Sequence, residues 1–97
     1  MSTDNWFRNT EWSETIASQF EEKLRRARRK EQYLRIQACM LAPSRPDVAH
    51  ELLNRYFEMQ DDFDHAQAHV DRATAFLSER KIEEAIASYE AAIEREA

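Results

Sequence analysis

Glycine is absent from the chain. Phosphate-cradling loops and the elbow that presents a catalytic serine both depend on it, so neither device is available here. Proline occurs twice and cysteine once. The single Cys39 excludes an internal disulfide and suits a reducing compartment. Set in an apolar run, its thiol is expected to be buried and inert rather than nucleophilic. No stretch approaches the ~20 apolar residues of a membrane-spanning helix, so no membrane is expected as partner. The N-terminus lacks a basic segment followed by an apolar one, so no secretory signal is expected and the cytoplasm is the expected compartment.

What is present points to helices. Charged residues make up 34% of the chain, and without glycine this composition predicts an all-α protein. The net charge of −5 argues against nucleic acid as the main partner. Trp12, Ile16, Phe20, Leu24 and Ala27 recur every three or four residues, as on one face of a helix. Glu11 and Glu14 suit its positive end, with a Thr or Ser cap between Thr10 and Ser13. The next stripe is Tyr33, Ile36 and Met40, and the shift in register predicts a turn near Arg29–Glu31. Pro43 predicts a helix end at Ala42, and Ser44-Arg45-Pro46-Asp47 reads as a capped start for the next helix. Val48, Ala49, Leu52, Leu53, Tyr56 and Phe57 give that helix a broad apolar face. Ahead of them all, Trp6 and Phe7 would be costly on a free tail and are expected to fold back over a helix; the alternative is an arm for another subunit.

The last third, from His65 to Ala97, reads as two amphipathic helices joined by a polar turn at Glu79–Lys81. Small residues (Ala73, Ala85, Ala92) fall where an antiparallel pair would touch. Large ones (Phe76, Ile82, Ile86, Tyr89, Ile93) are expected to fill between them. This pattern, Ala73-x2-Phe76-x8-Ala85-x3-Tyr89-x2-Ala92, resembles a tetratricopeptide repeat (TPR), a helix–turn–helix unit of about 34 residues. It departs from that family at His69, Arg72 and Arg80, where an aromatic, a leucine and a turn glycine are usual. Tyr33, Ile36, Met40, Ala49, Leu53, Tyr56 and Phe57 form a weaker earlier copy, with Ala49 and Ala85 separated by 36 residues. The opening Trp6-Phe7-Arg8-Asn9-Thr10-Glu11-Trp12 is also similar to that of a group of small bacterial TPR-like proteins, a likeness that implies a fold and no activity.

The resemblance implies a TPR-like α-solenoid of about five helices in a single domain spanning 1–97. Its parts would be an aromatic arm (1–12), an N-terminal capping helix (13–30), a degenerate repeat (31–59) and a better-matched repeat (64–97). It also implies a concave groove, which the repeat alignment lines with Leu34, Ala38, Leu41, Val70, Thr74 and Leu77. Such an apolar groove suits a helix or apolar peptide from a protein partner. The competing expectation is that helix one or the Trp6–Phe7 arm already fills it. The last helix carries Ala87, Ala91 and Ala92 where a terminal element should be polar. Self-association into a homodimer, or stacking on further chain, is expected there.

Other constellations in the chain have plainer explanations. Arg25, Arg26, Arg28, Arg29 and Lys30 form a basic patch that could meet nucleic acid or an acidic surface. Cations also collect at helix C-termini, and aromatics for base stacking are missing. Asp61, Asp62 and Asp64 lack the glycine and distal glutamate of a calcium loop. His65 and His69 stand one turn apart, but no third zinc ligand is evident. No catalytic residues, metal or cofactor are expected.

Overall fold

The computed structural model describes residues 5–59 and 64–96, which form five α-helices and no strand. They are α1 (Glu14–Arg26), α2 (Lys30–Leu41), α3 (Pro46–Glu58), α4 (His65–Ser78) and α5 (Ile82–Glu96). This is the all-α arrangement that the stripes predict. None of the helices is long and apolar enough to cross a membrane.

Each boundary has a local cause. The Ser13 hydroxyl accepts from the Ile16 N–H at 3.2 Å and opens α1, satisfying one of the free donors of a helix start. α1 ends at Arg26, four residues short of the expected Lys30, where Ala27 turns extended at ψ 150°. Without a glycine or proline, the bend is imposed by packing, since only a break lets Phe20 and Leu24 of α1 face the same core as Leu34 and Leu41 of α2. α2 closes where Pro43 predicts, with Ala42 as its C-cap. Ala42 keeps helical angles and its N–H still reaches Ala38, so Pro43 stops the helix by lacking the next donor. Ser44, by contrast, is not the cap of α3. Arg45 holds that position without a side-chain cap bond, and its guanidinium instead reaches Asp47 at 3.1–3.2 Å and the Trp12 carbonyl at 3.4 Å.

The turn between α4 and α5 is a Schellman motif. The Lys81 N–H donates to Phe76 O at 2.8 Å and the Arg80 N–H to Leu77 O at 3.0 Å. The motif requires a left-handed residue, and Arg80 supplies it at φ 63°, a position that favours glycine.

The core lies between α1, α2, α3 and α4. Phe20, Leu24, Leu34, Ala38, Leu41, Ala49, Leu52, Leu53, Tyr56, Ala68 and Ala75 are all buried. The N-terminal segment closes one side. Phe7 is buried, and the Trp6 ring packs on Phe20 and Tyr33 with centroids 5.5 and 4.9 Å away. A fully buried amide, Gln37, fastens this segment to α2. It accepts from the Asn9 backbone N–H at 3.0 Å and returns a bond to the Asn9 carbonyl at 2.9 Å. Gln37 therefore acts as a peptide unit would, satisfying a chain segment that has no helix or sheet around it.

α4 packs against both α2 and α3, and α5 makes its extensive contact with α4. Ala73, Ala85 and Ala92 are buried along the α4–α5 seam at 0%, 1% and 5% exposure, which permits the close approach the small residues suggested.

Candidate functional site

The large residues of α5 do not fill that seam. Ile82, Ile86, Tyr89 and Ile93 are 54%, 51%, 38% and 67% exposed, which overturns the expectation that they lie between the paired helices. The cause is helical register. At 100° per residue, Ala85, Ser88 and Ala92 share one face, while the four large residues share another about a quarter-turn away. Only the first face meets α4, and the second needs a further neighbour. Leu77, at the end of α4, is 43% exposed beside it. Toward the other end, Val70 and Ile93 line an open cleft of about 750 Å³ with Ala66, Gln67, Ala92 and Arg95. A third row, Glu83, Glu90 and Glu94, borders the apolar stripe on the side away from α4, and all three are exposed.

The proposed groove residues accordingly divide. Leu34, Ala38 and Leu41 are buried core, because this face of α2 lies in the cluster shared with α1 and α3, and α3 is its principal neighbour. They cannot line an open groove as that expectation required. Val70 and Thr74 are half-buried on α4 and Leu77 is exposed, so the α4 half belongs to open surface. The Thr74 hydroxyl is already committed to the Val70 carbonyl at 3.2 Å. Of the self-association residues, Ala92 is consumed by the seam with α4 and is unavailable. Ala87 is exposed and Ala91 half-buried, and both lie off the large-residue stripe.

Where α2 meets α4 there is a polar cluster. Asp71 is buried and accepts from Gln67 Nε2 at 2.9 Å, with Arg35 Nη1 at 3.8 Å from its other oxygen. Arg35 Nε also lies 3.5 Å from Asp64. Burial pushes the Asp71 carboxyl above its ordinary value, against the opposing pull of Gln67, Cys39 and Arg35. Cys39 is exposed, contrary to expectation, because it falls outside the buried stripe of α2. Its thiol is nonetheless partly desolvated beside Asp71, and desolvation and that negative charge push it up. A raised thiol is a poor nucleophile at neutral pH.

The histidine pair is occupied by packing. His65 and His69 both meet the Phe57 ring, with centroids 5.4 and 4.8 Å away. Burial, followed by the neighbouring positive charges, pushes His69 down. Asp61 and Asp62 lie outside the described residues. Among the described residues no group of three His, Cys, Asp or Glu is placed to hold a metal ion.

In the basic stretch, Arg25 and Arg26 both donate to Glu22, and Lys30 Nζ donates to the Ala27 carbonyl at 2.7 Å. Arg28 and Arg29 are exposed at the bend. The run is therefore divided by the break between α1 and α2, and two of its arginines share one carboxylate.

Two features escaped the sequence reading. Gln37 pairs with a residue 28 positions away, which no local period reveals. The acid row on α5 was readable in the spacing of Glu83, Glu90 and Glu94, but its meaning depends on which apolar face stays open. No protein-family model, curated protein or solved structure matches the chain, which leaves the open α4–α5 face and its bordering charges as the grounds for a functional reading.

Proposed function

We propose that the protein is a non-enzymatic interaction module, built on a TPR-like helical stack, that takes up a protein segment on the open face of α4 and α5. One observation carries this reading: four large apolar side chains on a single face of α5 stand in solvent together. Scattered apolar residues are normal on any surface, whereas a contiguous stripe marks an interaction site. Covering an Ile side chain contributes about 1.5–3 kcal/mol when burial is complete, so a stripe of this length supplies ample driving force.

The test is affinity capture from the native host with the wild-type chain and Ile86→Ser/Ile93→Ser in parallel, with circular dichroism to verify the fold. Partners held by the wild type and lost from the variant carry the reading. Identical partner sets for both proteins remove it.

A further inference from the structure

Resting on that reading, we infer that the occupant of the open face is an amphipathic helix whose apolar stripe is bordered by a row of Lys or Arg, and not a second copy of this chain. The molecule contains its own precedent. The 36-residue shift that relates Ala49 to Ala85 also relates His50, Leu53 and Phe57 of α3 to Ile86, Tyr89 and Ile93 of α5. On α3 those residues are covered by a helix. The His50 ring packs on Phe76 of α4 at 4.4 Å, Phe57 meets His65 and His69, and Leu53 is fully buried. The equivalent face of α5 has the same helical spacing and stays exposed, with no described helix other than α4 in contact with α5, so a helix placed as α4 is placed on α3 fits it.

The charge of that helix follows from the same correspondence. The α4 edge that lies on α3 brings a cation to this point, the Arg72 guanidinium, which stands 5.1 Å from the Phe57 ring centre and donates to Asn54. Asn54 corresponds to Glu90 under the 36-residue shift. Where α3 offers a neutral amide to an arginine, α5 therefore offers a carboxylate, flanked by Glu83 and Glu94. No ion pair joins any of the three to a cation among the described residues. Glu90 and Glu94, one turn apart, repel each other, and a cation from a docked helix relieves that repulsion. A second copy would do the reverse. Pairing two α5 stripes antiparallel about a two-fold axis places both acid rows on the same side of the contact, where like charges oppose association.

The experiment uses the full chain and two labelled synthetic helices that share one leucine stripe, bordered by lysine in one and glutamate in the other. Binding is followed by fluorescence anisotropy, and the protein alone by sedimentation equilibrium. The lysine helix is expected to bind about ten-fold more tightly, the product of three exposed ion pairs. Glu83→Gln/Glu90→Gln/Glu94→Gln erases that preference, and Ile86→Ser/Ile93→Ser weakens both helices. Equal affinity for the two helices overturns the cationic partner while the docking face stands. Self-association that Ile86→Ser/Ile93→Ser abolishes, with both helices excluded, overturns it in favour of a second copy. Neither peptide binding nor self-association overturns the docking face itself.

Discussion

Arg80 is a residue in a conformation it does not favour. Its left-handed φ sets a Cβ against the following carbonyl, a strain glycine does not feel. Arg80→Gly is expected to raise stability by about 0.5–1 kcal/mol, after allowing for the greater freedom glycine gives the unfolded chain. Arg80→Ala should give no such gain, and urea midpoints compare the three proteins. Asp71 carries a different cost. Its folded carboxyl titrates above the unfolded one, so its stabilising contribution is complete below the unfolded value and is lost as pH rises through the folded one. Wild type should therefore lose stability relative to Asp71→Asn as pH rises above the ordinary carboxylate value of about 3.9. Denaturation midpoints across that range check the slope, and a constant difference would remove burial as its cause. Both sites were only half legible beforehand. The sequence marks Arg80 as replacing a turn glycine, but Asp71 sits in a polar stretch that gives no sign of its burial against α2.

At the level of elements, helical period identified every helix and most of the core, because a stripe recurring at three and four residues has one structural meaning. It could not say which of two stripes on α5 is covered. Ala85, Ser88 and Ala92 compete with Ile82, Ile86, Tyr89 and Ile93, and hydrophobicity alone favours the larger set. Close helix approach decided for the smaller. Substitutions separate the two faces. Phe20→Ala, in the core with no exposed surface, should cost about 3–5 kcal/mol. Ile93→Ser should change stability by less than about 0.5 kcal/mol, since its side chain is already in water. Gln37→Ala leaves the Asn9 N–H and carbonyl without their partner, and a cost of about 1–3 kcal/mol is expected for such buried groups. Thermal or urea unfolding of the three variants measures all of these differences together. The groove expectation failed at Leu34, Ala38 and Leu41 for a related reason: a repeat alignment assigns faces by analogy and does not register that this face of α2 belongs to the core.

As a whole, the molecule is a short stack, 39 × 27 × 23 Å across its principal axes, with unlike ends. At the α1–α2 end aromatic rings and the Gln37–Asn9 bonds seal the apolar surface. At the α5 end an apolar stripe and an acid row remain in solvent. The arrangement has an optical consequence. Both tryptophans of the chain, Trp6 and Trp12, pack on Phe20 at the sealed end, whereas Tyr89 stands on the open stripe. A docked helix should perturb tyrosine absorption and leave the indole emission maximum where it was. Loosening of the N-terminal segment should instead shift that emission to the red with Tyr89 unaffected, so light alone can tell which end of the stack has been disturbed.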